Sequence, residues 1–131
     1  MTDAGLPSSS SVLEQFAQRI ATRDETPPIL VTPEAIQERL GAALGARLGT
    51  KDPRRRRTLA RIAYALMAER WQTNVQLGAA AGLTAQAAQR VADALVREGL
   101  LEVYRDKNTR VQCLSRAGED WLLPHAQGTA V

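Results

Sequence analysis

The chain contains very few of the residues that form metal centres and disulfides. Its 131 residues include a single cysteine, Cys113, and a single histidine, His125, which we expect near a mobile tail. One cysteine excludes a disulfide within the chain, and these two residues cannot supply the four ligands of a structural zinc site. We therefore expect no metal. Cys113 lies in a predicted strand and is interpreted as a small buried hydrophobe; a redox-sensing thiol is the alternative, although no second cysteine could resolve it.

Catalytic and cofactor-binding motifs are also missing. The sequence contains no Ser-His-Asp arrangement, no P-loop and no glycine-rich dinucleotide-binding motif. These absences predict a protein that is not an enzyme and that carries no cofactor. The N-terminus lacks the basic start and apolar core of a secretory signal, and no apolar run approaches the roughly 20 residues that span a bilayer. We therefore expect a cytoplasmic protein with no membrane partner.

The chain is rich in arginine, and its positive charge is concentrated in one segment. The formal net charge is +3. Residues 1–50 carry four basic and six acidic groups, and residues 71–131 carry six of each. Residues 51–70 carry seven basic and two acidic groups, a surplus of five. Because DNA phosphates attract such a local surplus, this segment is a candidate binding surface.

The basic segment is also predicted to begin a helix. Asp52 suits the N-cap and Pro53 suits the first helical position. The buried stripe of this helix is predicted to contain Leu59, Ile62, Ala63, Leu66 and Met67. The first turn holds Arg54, Arg55, Arg56 and Arg57, where the helix dipole favours anions instead. We interpret these arginines as phosphate contacts; a solvated basic face or a surface for an acidic partner is the alternative.

Residues 73–99 have the spacing of a helix-turn-helix. Thr73 and Gln76 match a capping box at the start of a short helix. The buried side of that helix is predicted to contain Val75, Leu77 and Ala80. Gly82 suits the turn because it adopts a positive φ without steric cost, and Thr84 suits the N-cap of the second helix.

The second helix, residues 84–98, has one apolar face and one polar face. Its apolar face is formed by Ala88, Val91, Ala92, Leu95 and Val96. The second helix of such a motif lies in the major groove, where glutamine can pair with adenine and arginine with guanine. We predict DNA contacts from Thr84, Gln86, Ala87, Gln89, Arg90 and Arg97. Ordinary solvated side chains are the alternative, and Asp93 on the same side would be repelled by phosphates.

A basic β-hairpin is predicted after this helix. Apolar residues alternate at Leu101 and Val103 and again at Val111 and Cys113, around a turn at 105–110. Three basic residues in that turn could contact a minor groove or phosphates, although charge is also normal in a solvated turn: Arg105, Lys107 and Arg110. Ser115 then begins a short helix, predicted over residues 116–123, whose Trp121 and Leu122 close the core.

This order of elements resembles the winged-helix regulators of the MarR type. A Leu-Ser/Thr-x-x-Gly segment follows the wing in that family, and it is matched here by Leu114, Ser115 and Gly118. The resemblance covers about residues 54–123. It implies a mainly α fold with a small β-hairpin wing, a recognition helix within residues 84–97, and wing contacts from Arg105, Lys107 and Arg110. In that family a long helix after the wing usually pairs with the N-terminal helix in the dimer. This chain stops soon after Trp121, so we expect a homodimer to use mainly its N-terminal region.

The N-terminal region is predicted to be a helical extension. Residues 1–11 are expected to be disordered, and a short amphipathic helix follows with Val12, Leu13, Phe16 and Ile20 on one face. A polar break at 22–28 precedes a second helix that starts at Thr32 and Pro33. The apolar stripe of that helix, which is either internal core or a dimer seam, contains Ile36, Leu40, Leu44 and Leu48. Its glycines either weaken the helix or permit close packing: Gly41, Gly45 and Gly49.

These observations predict four regions and one principal function. The regions are a disordered N-terminus (1–11), a helical extension with a possible dimerisation role (12–50), a winged helix-turn-helix domain (51–124) and a tail (125–131). We expect a homodimeric bacterial transcriptional regulator that binds double-stranded DNA sequence-specifically. The alternatives are a protein-interaction module without DNA contact, which the neutral charge of residues 71–131 allows, and a plasmid or phage replication or partition factor. The sequence specifies neither an operator nor a small-molecule effector.

Overall fold

The computed structural model describes residues 9–24 and 31–130. Its elements in chain order are α1 (Ser9–Ala21), α2 (Pro33–Leu48), α3 (Pro53–Ala68), β1 (Gln72–Thr73), α4 (Asn74–Ala81), α5 (Ala85–Arg97), β2 (Leu101–Asp106), β3 (Thr109–Leu114) and α6 (Arg116–Gln127). This is the predicted winged helix-turn-helix, mainly α with a hairpin wing. The predicted disorder of residues 1–8 and the second half of the predicted break, from residue 25, lie outside the described residues. Residues 9–11 are helical, so α1 begins before its predicted start.

Side-chain caps set the starts of the helices from α2 onward, as the sequence predicts. Thr32 Oγ1 accepts from the Ala35 N–H at 3.2 Å, and Asp52 Oδ1 accepts from the Arg54 N–H at 3.0 Å. The same arrangement begins the remaining helices, at Thr73, Thr84 and Ser115. Each cap satisfies an N–H group that has no partner within its own helix.

The stripe of α2 lies in the core. Leu40 and Leu44 are fully buried, and Ile36 and Leu48 pack against the same cluster. Of the two interpretations of this stripe, internal core and dimer seam, the structure supports internal core. A Cβ added at Gly41 would lie 3.1 Å from the Arg56 carbonyl oxygen, so glycine allows α2 to approach the α3 backbone closely.

The wing is a three-stranded antiparallel sheet in the order β1-β3-β2. Strands β2 and β3 pair from Leu101 opposite Leu114 to Asp106 opposite Thr109, which leaves a two-residue turn at its tip. Lys107 in that turn has a φ of 58°. Strand β1 was not predicted, because two residues are too few to show an alternating pattern. It pairs Gln72 with Gln112 and ties the hairpin to the start of α4.

Two predicted core residues of the helix-turn-helix are exposed. Val75 is 69% exposed and Ala80 is also exposed, while α4 buries Leu77, Gly78 and Ala81 instead. A Cβ at Gly78 would lie 2.5 Å from the Leu83 carbonyl oxygen, so α4 turns its glycine side toward the following turn. The turn itself forms as predicted, with Gly82 at a φ of 70°. On α3 the predicted core residue Met67 is exposed, since the buried stripe ends at Leu66.

Helix α6 is longer than predicted. It continues past the expected end at residue 123, through Pro124 and His125, to Gln127. Proline disfavours helix continuation, but tertiary contacts hold this last turn. The Arg39 guanidinium donates to the Ala126 carbonyl oxygen through Nε at 3.1 Å and Nη2 at 2.6 Å. His125, expected near a mobile tail, packs instead against Trp121 at 4.5 Å between ring centroids.

No helix within residues 9–24 and 31–130 is both long enough and apolar enough to cross a membrane.

Candidate nucleic-acid interface

Helix α5 turns a polar face away from the core. Ala88, Ala92 and Leu95 are buried, while Gln86, Arg90 and Arg97 are exposed on the other side. Gln89 and Asp93 lie on the same outward side and are partly exposed. This outward face is therefore the surface that helix geometry and the helix-turn-helix motif leave free for a groove. Thr84 begins the helix, and its Oγ1 accepts from the Ala87 N–H at 3.1 Å.

The start of α3 lies beside the start of α5. Arg54 and Arg55 line a shallow groove together with Ala87 and Arg90, so three arginines from two helices line one surface. The carboxylate in this groove belongs to Asp52, which is engaged by the Arg54 N–H as a helix cap. The groove therefore joins the predicted phosphate-contacting segment to the predicted base-contacting helix.

The other two arginines of the tract point elsewhere. Successive residues of a helix are rotated by about 100°, so four consecutive side chains cannot share one face. Arg56 lies across Gly45 of α2, and its Nε donates to the Thr50 carbonyl oxygen at 2.8 Å. Arg56 is therefore engaged between α2 and α3, and the phosphate contact expected of it stays a prediction. Arg57 is exposed but lies in the groove between α2 and α3, near Glu34 and Glu38.

Arg110 belongs to the base of the wing. Its side chain is 12% exposed, and its Nη2 donates to Asp93 Oδ1 at 2.7 Å. Its Nε donates to Gln112 Oε1 at 2.7 Å. Strand alternation places Arg110 on the same side as Gln112, facing α5, and the DNA contact expected of Arg110 stays a prediction. The same ion pair gives Asp93 a cationic partner on the outward face of α5.

The hydrogen bonds of Arg110 continue into the interior. Gln112 is fully buried, and its Nε2 donates to the Gln72 carbonyl oxygen at 2.8 Å. The Gln72 side chain in turn donates from Nε2 to the Ala65 carbonyl oxygen at 3.1 Å. This chain of bonds connects α5, β3, β1 and α3. Sequence reasoning missed both glutamines, and the only signal was a polar residue placed between Val111 and Cys113 in an apolar strand.

The remaining predicted contacts lie at the two ends of the surface. Arg105 and Lys107 are exposed at the wing tip, on either side of Asp106. Arg97 is exposed in the last turn of α5, about 18 Å along the helix from its start. Its neighbour Glu98 pairs with Arg47 of α2, through Arg47 Nε at 3.1 Å.

Gln89 is held by a residue that sequence reasoning did not select. Asn74, the first residue of α4, donates from Nδ2 to Gln89 Oε1 at 3.0 Å. Asn74 Oδ1 is buried and has no hydrogen-bond partner within the described residues. The two helices of the helix-turn-helix are thus joined by an amide pair beside the outward face of α5.

The other side of the hairpin carries an exposed aromatic pair. Trp71 and Tyr104 meet edge to face, with ring centroids 5.4 Å apart. The Tyr104 hydroxyl donates to Glu102 Oε2 at 3.0 Å, and this hydrogen bond to the carboxylate raises the pKa of Tyr104. Cys113 on the same strand pair is buried, as predicted, and burial raises the pKa of its thiol.

Comparison with known proteins finds similarity of structure only. No protein-family model matches the chain, and no curated protein sequence matches it significantly. Bordetella bronchiseptica BpsR, whose DNA binding is regulated by 6-hydroxynicotinic acid, superposes with a TM-score of 0.50 and 14% identity, over 95% of this chain and 82% of its own. A MarR family transcriptional regulator from Silicibacter pomeroyi gives 0.49 and 23%, over 93% and 72%. BldR from Sulfolobus solfataricus gives 0.47 and 19%, over 91% and 77%. The BpsR match establishes a shared fold.

Proposed function

We propose that this protein binds double-stranded DNA sequence-specifically and regulates transcription, with α5 in the major groove. The observation that carries the proposal is the groove in which Arg54 and Arg55 of α3 meet Arg90 of α5. A recognition helix that lies in a groove brings the flanking helix toward the phosphate backbone. Arginines at that junction supply the positive charge that such an approach requires. BpsR, which shares the fold, binds DNA.

The proposal divides the surface between base and phosphate contacts. Gln86, Gln89 and Arg90 project from the first half of α5 and contact base edges. The N-terminus of α5 also favours an anion, so Thr84 and Ala87 lie where a phosphate would approach. Phosphates are held by Arg97 at the end of the recognition helix and by residues on either side of that helix: Arg54, Arg55, Arg105 and Lys107. Arg57 lines the neighbouring groove between α2 and α3, and its phosphate contact remains part of the proposal.

The ion pair between Asp93 and Arg110 makes close approach to DNA feasible. An unpaired carboxylate on the outward face of α5 would repel the phosphate backbone. Arg110 places a guanidinium 2.7 Å from Asp93 Oδ1, so the pair has no net charge. The second half of α5 can therefore approach the DNA backbone without uncompensated negative charge.

We further propose that the regulator acts as a homodimer, because two recognition helices can then occupy two half-sites of an operator. The stripe of α2 is not available for the interface, since Leu40 and Leu44 are buried within one chain. Large apolar side chains are exposed on α1, in the region predicted for dimerisation: Val12, Leu13, Phe16 and Ile20. These residues make α1 the candidate for contact with a second copy.

A protein-interaction module is the second candidate, and one observation favours it. Trp71 and Tyr104 are exposed beside the wing, on residues that the DNA-binding proposal does not use. Exposed aromatic pairs of this kind are typical of protein interfaces. A protein with this function would show no affinity for DNA even at low salt.

The assignment of base contacts and phosphate contacts to different residues is tested with two alanine variants. Their binding is measured on a selected operator and on random duplex DNA. Arg90→Ala is expected to weaken operator binding more than random-sequence binding, because it removes a base contact. Arg55→Ala is expected to weaken both alike and to reduce the salt slope by about one unit. Equal effects of the two substitutions on both DNAs would contradict the assignment.

A further inference from the structure

The geometry points to Asn74 as the residue that sets which base Gln89 recognises. This inference rests on the proposed function, since it concerns a base contact of the recognition helix. Asn74 would act as a positioning residue: it contacts Gln89 and makes no contact with DNA itself. The expected result is a preference for guanine over adenine at the base pair that faces Gln89.

Asn74 is the first residue of α4. It follows Thr73, whose Oγ1 accepts from the Gln76 N–H at 3.2 Å while the Thr73 N–H donates to Gln76 Oε1 at 2.9 Å. This reciprocal cap fixes the backbone from which the Asn74 side chain extends. From there Nδ2 donates to Gln89 Oε1 at 3.0 Å, across the turn of the helix-turn-helix.

The cost of this arrangement indicates that it has a role. Asn74 Oδ1 is buried and accepts no hydrogen bond within the described part of the chain. A buried polar atom without a partner is destabilising, and native proteins keep few of them. The hydrogen bond that the Asn74 side chain makes is the one to Gln89. That bond sets the orientation of the Asn74 amide and is the contact through which Asn74 positions Gln89.

Holding Oε1 decides which half of the Gln89 amide faces outward. A glutamine that pairs with adenine accepts from N6 through Oε1 and donates to N7 through Nε2. Here Oε1 is directed toward Asn74, and the N–H groups of Nε2 are left to meet DNA. Two donors match guanine, which presents N7 and O6 as acceptors in the major groove. Adenine would place its N6 donor against a second donor, so the adenine pairing expected of a free glutamine is disfavoured.

The test is selection of binding sites from a random duplex pool by the full chain and its Asn74 variants. Asn74→Asp keeps the size of the side chain, and a carboxylate is favourable at a helix start. A carboxylate cannot donate to Oε1 and instead accepts from Nε2, which turns the amide and presents Oε1 to DNA. We expect Asn74→Asp to shift one position of the selected site from guanine toward adenine or cytosine, whose amino groups donate. Asn74→Ala leaves the amide free, and we expect the guanine preference there to fall by about tenfold.

Two further variants make the result decisive. Gln89→Ala should abolish the preference at the same position, and Gln86→Ala should alter a different one. Thermal unfolding of each variant separates a change of base preference from loss of fold. If Gln89→Ala alters one position and both Asn74 variants select the wild-type site, Asn74 does not position Gln89. The inference is also overturned if Gln89→Ala alters no position. If the wild-type chain enriches no sequence at all, the proposed sequence-specific DNA binding is contradicted, and the inference about Asn74 falls with it.

Discussion

Arg110 of β3 and Asp93 of α5 join the wing to the recognition helix, with Arg110 Nη2 2.7 Å from Asp93 Oδ1. Arg110 is mostly buried in this pair, and its Nε is bound to the fully buried Gln112. Since its Nε and Nη2 are both bonded within the protein, Arg110 links the wing to α5. The charge at the free tip of the wing comes from Arg105 and Lys107.

The first prediction concerns the salt dependence of variants of this pair. Arg110→Ala should weaken operator binding at least tenfold, because it leaves the Asp93 carboxylate unpaired on the DNA-facing side. Adding Asp93→Ala should recover part of the loss. The salt slope of the double variant, measured by fluorescence anisotropy, should equal that of the wild type, since no phosphate contact is lost. A slope reduced as much as in Arg55→Ala would show that Arg110 binds phosphate directly.

The second prediction separates two adjacent arginines of the same tract. Arg56→Ala should lower the free energy of unfolding by about 1 kcal/mol, because it removes the hydrogen bond to the Thr50 carbonyl oxygen and the packing of the side chain against α2. It should leave the salt slope of DNA binding unchanged. Arg55→Ala is the matched control, with the opposite pattern of unchanged stability and reduced slope. Urea unfolding measures the stability of both variants, and fluorescence anisotropy measures the salt slope of their DNA binding. If the two variants have the same stability and the same salt slope, the orientation described for Arg56 is contradicted.

The third prediction concerns the pH dependence of Cys113. Burial raises the pKa of its thiol in the folded protein above the value of the unfolded chain. Because the folded protein holds the thiol proton more tightly than the unfolded chain, the free energy of unfolding falls as the pH rises. The stability linked to Cys113 is complete below the pKa of the unfolded chain and is lost as the pH rises through the pKa of the folded protein. Iodoacetamide, which reacts with the thiolate, should therefore modify the native protein more slowly than the urea-unfolded chain near neutral pH, and only at higher pH should the native rate rise. Equal rates in the two states would mean that Cys113 is accessible.

The fourth prediction concerns the oligomeric state. Phe16→Glu should convert the proposed dimer to a monomer, because it places a charge in the exposed apolar face of α1. Gln15→Glu adds the same charge to a polar neighbour on α1 and serves as the control. Light scattering coupled to size-exclusion chromatography measures the mass directly. A wild-type chain that is monomeric, or a Phe16→Glu variant that stays dimeric, would refute the role given to α1.

Much of the fold could be predicted because its signals are local. Thr32, Asp52, Thr73, Thr84 and Ser115 cap their helices through atoms three residues away or fewer, and such spacing is visible in a sequence. The hairpin was likewise predicted from alternation around a polar turn. Strand β1 could not be predicted in this way. Its two residues form a strand only because they pair with Gln112 and Val111, which are distant in the sequence.

The candidate site was harder to predict because its side chains are positioned by distant partners. Arg56 and Arg110 look like free cations in the sequence, yet Thr50 and Gly45 engage the first, and Asp93 and Gln112 the second. Composition identifies charge, whereas only packing decides which charges face outward. Asn74 carried no signal at all, since its contact with Gln89 spans the turn between two helices.

The most direct test of the central claim is the binding of the full chain to random-sequence duplex DNA, followed by fluorescence anisotropy across a salt series from about 50 to 200 mM. Phosphate contacts from Arg54, Arg55, Arg97, Arg105 and Lys107 predict measurable affinity at the lowest salt. They also predict that the logarithm of the binding constant falls with the logarithm of salt concentration at a slope of about −4.5 per protomer. No binding at about 50 mM salt, or an affinity that does not change across the series, would contradict the proposed DNA-binding surface.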